Sequence, residues 1–188
     1  MLDPKSAILH ALYTRQLDEA NRLAADATSL TIWEAAALGR DADVERCLAN
    51  DPTALGAVAA DGHLPLGLAA FFGHTSTVGL LLARGADVGA AAHNEMKVQP
   101  LHAAAGSRNV DVVRAVLAGR PDVNARQQLG YTPLMGAAAS GNQEMVDLLL
   151  DAGADPALVS EDGKTAADVA NEHGHPAVAT YLQRLLQR

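Results

Sequence analysis

The chain has one cysteine, few aromatic residues and a deficit of positive charge, and each shortage removes a class of protein. Cys47 alone cannot close an internal disulfide, so this is not a small scaffold stapled by cross-links. Aromatics make up 3% of the 188 residues; strands favour aromatic and β-branched side chains, whereas the alanine that is plentiful here is favoured in helices. With 14 Lys+Arg against 22 Asp+Glu and a net charge of −8, the summed field repels nucleic acid and anionic lipid, so neither is an expected partner. A long apolar run is also missing. Residues 64–83 carry no charge apart from His74, but Pro65, Gly67, Gly73 and the polar Thr75-Ser76-Thr77 interrupt them, which predicts two short helices and no membrane span. The start, MLDPK, lacks a basic segment followed by an apolar run, so a cytoplasmic protein is expected.

Catalytic machinery is equally scarce. No serine sits in a nucleophile elbow and no glycine-rich loop is placed to cradle phosphate. Seven histidines are scattered along the chain; His173 and His175 flank Gly174, but no third ligand recurs at metal-site spacing nearby. Cys47 lies mid-helix beside Val44 and Leu48, a core position rather than the basic or helix-N-terminal setting of a reactive thiol. No enzyme, no cofactor and no metal site are expected.

What the chain does have is punctuation. In LGYTPLMGAAASGNQEMVDLLLDAGADP, residues 129–156, Thr132 can cap a helix and Pro133 suits its first position, where a missing N–H costs nothing. Gly141 supplies a left-handed stop, residues 142–151 restart a helical pattern, and Gly153 ends it. Met145, Val146, Leu148, Leu149 and Leu150 give the second helix an apolar face too wide to lie alone on water. The pair needs neighbours, and the sequence supplies them. Taking Pro133 as marker, the matching positions are Thr31, Pro65, Pro100 and Ala166, at a period of about 33 residues. Gly85-Ala86-Asp87 repeats the Gly153-Ala154-Asp155 turn in the same phase.

A T-P-L-H-x-A-A opening (QPLHAAA, YTPLMGAAA) with a G-A-D ending at this period resembles the ankyrin repeat. The resemblance covers roughly residues 28–188 and implies an all-α fold with β-turn fingers, a solenoid of stacked antiparallel helix pairs. It divides the chain into an N-terminal capping half-repeat (1–27), a divergent repeat (28–59), three further repeats (60–93, 94–126, 127–158) and a C-terminal capping repeat (159–188), forming one continuous domain and a complete array. Within residues 1–27, Ala7, Ile8, Ala11 and Leu12, then Leu17, Ala20, Leu23 and Ala24, recur at helical spacing around a polar break at Thr14-Arg15-Gln16, and polar end units such as these are what an array requires. The divergent repeat has Trp33 where the family has histidine. The repeat at 94–126 replaces the finger's Asp-x-x-Gly with Asn94-Glu95-Met96-Lys97 after one inserted residue, and places Arg108 and Arg120 where Gly141 and Gly153 sit. Either these arginines are left-handed, or Gly119 takes that role one residue early. His102, His74 and His175 match family positions that tie turns together by hydrogen bonds.

The resemblance further implies a scaffold that binds a partner protein through its concave groove and finger tips, with a regulatory subunit or inhibitor of an enzyme, or a small-ligand groove, as alternatives; a monomer is expected. The positions that follow the Ala-Ala pair in each first helix are exposed on the concave side in ankyrin repeats. Here they read Ala37-Leu38, Phe71-Phe72, Gly106-Ser107, Ala139-Ser140 and Glu172-His173. The finger positions are Asp61 and His63, Glu95 and Met96, and Leu129 and Tyr131. The partner-binding set expected is therefore Leu38, Asp61, His63, Phe71, Phe72, Met96, Leu129, Tyr131 and Ser140, an apolar centre with a polar surround. For Phe71 and Phe72 a second reading stands beside this one, that they fold between units and fill space left by small residues, or that one does each.

Overall fold

Threonine, proline and glycine act as their chemistry predicts in the computed structural model, which describes residues 6–187; the MLDPK start lies outside the described residues. Thr132 is extended and its hydroxyl accepts from Met135 N, Pro133 opens the helix, and Gly141 closes it at φ 70°. The described residues form twelve α-helices: α1 (Ala7–Tyr13), α2 (Leu17–Asp26), α3 (Ile32–Leu38), α4 (Asp41–Asn50), α5 (Pro65–Phe71), α6 (Thr75–Ala83), α7 (Pro100–Ser107), α8 (Val110–Ala118), α9 (Pro133–Ser140), α10 (Gln143–Asp151), α11 (Ala166–Glu172) and α12 (Pro176–Leu186). No strand forms among the described residues, so the fold is the all-α stack of helix pairs expected from the repeat. None of these helices is long and apolar enough to cross a membrane.

Each pair packs on itself and on the next. The short first helices α3, α5, α7, α9 and α11 form one row, and α4, α6, α8 and α10 a second. Alanine makes the first row possible. Ala35, Ala36, Ala69, Ala70, Ala104, Ala105, Ala137 and Ala138 are completely buried, because a methyl is the largest side chain that fits between helices stacked this closely. Leucine and valine from both rows (Leu68, Leu81, Leu101, Val112, Leu149) fill the space between them.

Between the pairs, the chain turns out and back in fingers that are bonded to one another. A closing bond runs from Ala59 N to His63 O, from Gln127 N to Tyr131 O and from Ser160 N to Lys164 O. In the third repeat it runs from Ala92 N to Val98 O, so that finger is two residues longer than the others, where the sequence suggested one insertion. Successive fingers are then joined by His93 N to Gly62 O, Gln128 N to Met96 O and Glu161 N to Leu129 O, at 2.7–3.0 Å. The helix side has its own ties: His74 Nε2 to Ala37 O at 2.9 Å, and Asn109 Nδ2 to Gly73 O at 3.0 Å. A carbonyl can only accept, so His74 Nε2 carries the hydrogen and donates here.

Two further details differ from the sequence reading. Thr31 is the capping residue, in a reciprocal box with Glu34, and the helix begins at Ile32; in that role it matches Thr132 and Thr165, each one position before the marker. Cys47 is half-buried at the edge of the core, with Sγ 3.3 Å from Leu30 O, and burial pushes its thiol above the ordinary range. Arg108 (φ 62°) and Arg120 (φ 57°) do hold left-handed turns, whereas Gly119 is right-handed at φ −75°. Lys97 joins them at φ 51°, in the place of the finger glycines Gly62, Gly130 and Gly163. Among its turn positions, the third repeat therefore carries three long cations where its neighbours use glycine.

Candidate functional site

Three of the large exposed apolar residues lie on the face built by the first helices and the fingers, while others, such as Leu17 on α2 and Leu186 on α12, lie elsewhere. In a chain with two phenylalanines and four methionines, Phe71, Met96 and Leu129 are 47%, 48% and 58% exposed. Phe71 ends α5, Met96 sits at the tip of the third finger and Leu129 in the fourth. They form one strip: Phe71 and Met96 line the same cavity of ≈ 360 Å³, and Met96 O accepts from Gln128 N beside Leu129. Leu129 is also left-handed, at φ 61°. A bulky residue in that region is strained by about 1–2 kcal/mol, and one that is exposed as well has no burial to offset the strain, a combination associated with function.

The other expected residues divide. His63 lines the cavity with Phe71 and Met96. Phe72 turns down, half-buried against the core, with its ring edge-on to Phe71 at 5.1 Å, so each of the two readings of the pair describes one ring. Leu38 and Tyr131 are half-buried against the core, and Ala37 beside Leu38 is completely buried. Ser140 is used locally: its hydroxyl donates to Ala137 O at 2.7 Å and accepts from Asn142 N. Asp61 is no rim charge either. Its side chain is 6% exposed and accepts from the Tyr13 hydroxyl at 3.1 Å and from His63 N at 3.1 Å; His63 Nδ1 lies 3.1 Å from the same carboxylate without the alignment of a hydrogen bond.

Tyr13 is the residue the sequence did not point to. At the end of α1 it reaches past the first repeat to the second, where its ring lies 5.5 Å from Phe72, 6.1 Å from Phe71 and 6.2 Å from His63. Burial, then the negative Asp61, push its hydroxyl well above the usual phenol range. An aromatic at the end of an otherwise polar, alanine-rich helix pair is the only signal it gave. The small residues Gly67, Ala90, Ala92 and Gly106 also wall the cavity, and His102 lines it too. His102 is 7% exposed; its Nε2 is within 3.1 Å of Ala125 O and 3.2 Å of Tyr131 O. Two carbonyls can only accept, so Nε2 carries the proton, and burial depresses the pKa so that the ring stays neutral. Among the described residues, no group of three or more His, Cys, Asp or Glu could hold a metal. The arrangement offers apolar area, ring faces and fixed backbone groups, the means of binding rather than of acid–base chemistry.

Comparison with known proteins agrees with the architecture. The family model described as "Ankyrin repeats (3 copies)" matches residues 24–127 and 101–185. The chain is 43% identical over 74 residues to the Espin-like protein of Homo sapiens, covering 39% of this chain and 7% of that protein. It is 35% identical over 123 residues to the tyrosine-protein kinase Shark of Drosophila melanogaster, covering 65% and 13%, and 40% identical over 81 residues to the mitochondrial disaggregase of Bos taurus, covering 43% and 12%. Each match spans a small part of the relative's length.

Proposed function

The chain belongs to the ankyrin-repeat family, whose repeats are generally protein–protein interaction modules, and on that premise we propose that it is a scaffold that takes a partner protein on the face of its first helices and fingers. Members of the family are typically not enzymes. The observation that carries the proposal is the strip of Phe71, Met96 and Leu129, three large apolar side chains about half exposed on adjacent units, two of them lining one cavity. An array of bonded fingers holds the strip rigid, so little ordering entropy opposes binding. Its surroundings (Glu95, Lys97, Gln128) are polar, the composition of a rim.

Met96 and Leu129 are about half exposed, so Met96→Ser and Leu129→Ser are expected to leave the fold intact. With the partner recovered on the immobilised chain and then purified, each substitution is expected to weaken binding in isothermal titration by about 1–3 kcal/mol, with Arg114→Ser on α8 as an unaffected control. Equal affinity for all three variants and the parent would remove this face from consideration.

A further inference from the structure

Gly67 is in the wrong place for a glycine. It lies inside α5 with an ordinary helical φ, and a Cβ built on it meets nothing within 4 Å. Neither backbone conformation nor a close neighbour requires it, and glycine is disfavoured in a helix interior. Counted back six residues from the left-handed residue that follows each first helix (Gly39, Gly73, Arg108 and Gly141), its counterparts are Trp33, His102 and Met135, and two of these do the same job. Trp33 Nε1 donates to Ala57 O at 3.0 Å and His102 Nε2 to Ala125 O at 3.1 Å. In both cases a ring N–H crosses from the first helix to a carbonyl two residues before the closing bond of the next finger, at Ala59 and at Gln127. For α5 of the second repeat, the closing bond of the next finger starts at Ala92, so the equivalent carbonyl is that of Ala90, and Gly67 sends no ring to it.

The ≈ 360 Å³ cavity is the space of that missing ring. It is lined by Gly67, by Ala90, Ala92 and Val98 of the third finger, and by Gly106 of α7, a second helix glycine whose Cβ would likewise meet nothing within 4 Å. Tyr13 and Phe71 wall it with rings and Met96 with a thioether. The volume falls in the range of pockets that hold an organic group.

We propose that this cavity receives a tryptophan side chain of the partner protein, whose indole takes the position of the absent ring and donates its N–H to Ala90 O as Trp33 does to Ala57 O. The inference rests on the scaffold reading above and names the anchor that the scaffold recognises. An indole matches on each count: it is flat, apolar enough for a wall of alanine, valine and aromatic rings, and carries one donor for one carbonyl. A leucine or phenylalanine would fill the volume and leave that carbonyl without the ring N–H that its equivalents receive.

The test uses N-acetyl-L-tryptophanamide, its 1-methylindole derivative and N-acetyl-L-leucinamide as probes in ¹H–¹⁵N correlation spectra of the whole chain. The tryptophan probe is expected to shift the amides of Gly67, Ala90, Ala92 and Gly106, and the methylated and leucine probes to bind about tenfold more weakly for want of the donor. Gly67→His supplies the ring within the chain, so it should raise the Tm and abolish the shifts; Gly106→Leu should abolish them by filling the space from the opposite wall. No shift at these amides, equal binding by the methylated probe, or undiminished binding by both variants overturns the proposal. The purified partner separates the two claims. If it binds Gly67→His and Gly106→Leu as tightly as the parent but is lost with Met96→Ser, the strip stands and the tryptophan pocket falls; if none of the three alters it, both fall.

Discussion

Five described side chains, Arg15, Lys97, Arg108, Arg120 and Leu129, hold backbone conformations that glycine holds more cheaply, and they do not do so for one reason. Lys97, Arg108 and Arg120 are left-handed at turn positions where the neighbouring repeats have glycine. Relief of left-handed strain is worth about 1–2 kcal/mol, while glycine's freedom in the unfolded chain costs about 0.4–1 kcal/mol, so relief wins by somewhat under 1 kcal/mol at each site. Lys97→Gly, Arg108→Gly and Arg120→Gly are therefore each expected to raise the Tm by roughly 2 °C for a chain of this size; a fall in all three would show that the turns carry no strain. Leu129→Gly shares the gain in Tm but removes an exposed apolar side chain, so it alone should weaken partner binding. The substitution of glycine by arginine was legible from register, since Arg108 and Arg120 fall on the phase of Gly141 and Gly153. That Leu129 is left-handed was not, because Gly130 beside it already satisfies the finger's usual need.

Tyr13 also belongs to this scale. Its hydroxyl pKa is raised in the folded chain, by burial first and by Asp61 second. A raised pKa stabilises the protonated form, so the contribution is complete below the unfolded value of about 10 and is lost as pH rises above it. Denaturation by urea at pH 9 to 11.5 should show stability falling along this limb, and Tyr13→Phe should flatten the fall while lowering stability at pH 7, where the Asp61 carboxylate loses a donor. An identical alkaline limb in the variant would mean that Tyr13 is not held as described. No local pattern could have announced this bond, because its partners are 48 residues apart and the tyrosine crosses an intervening repeat.

At the scale of elements, the stack depends on how one helix pair seats on the next. The sequence displayed the elements themselves: Pro133 opens α9, Gly141 closes it and Gly153 follows α10 two residues past its end at Asp151, although Thr31, read as the marker, is the cap of α3. It did not display the seating, which is set by atoms of different repeats. Gly141 shows the difference. It is left-handed like Gly153, but a Cβ on Gly141 would stand 2.3 Å from His175 Nδ1, whereas one on Gly153 meets nothing within 4 Å. Gly39 lies under His74 in the same way, at 2.5 Å. The two alanine substitutions share the backbone strain and differ only in the collision, so Gly141→Ala should destabilise by about 1–3 kcal/mol more than Gly153→Ala. His175→Ala should recover much of that excess in the double variant, a coupling read from a thermodynamic cycle. Equal effects of the two alanines would mean that the histidine does not seat the fifth pair on the fourth.

For the whole molecule, one design recurs: backbone bonds and small residues hold the units together, so large side chains are free to differ from unit to unit. Where the second position after Pro65 carries Gly67 in place of a ring, a cavity opens; where Asp61 was expected to face solvent, Tyr13 has captured it. Of the residues expected at the site, Phe71, Met96, His63 and Leu129 remain on the accessible face, and those that left it, Leu38, Phe72, Tyr131, Ser140 and Asp61, did so because the core, a helix end or a distant tyrosine claimed them. Amide hydrogen exchange of the chain with and without its purified partner bears on the central claim most directly, because it reports every unit at once. Protection on binding is expected in the third and fourth fingers, residues 92–98 and 127–131, and at the end of α5 around Phe71, with α4, α6, α8 and α10 unchanged. Protection of those second-row helices, with the fingers exchanging as in the free chain, would contradict the account.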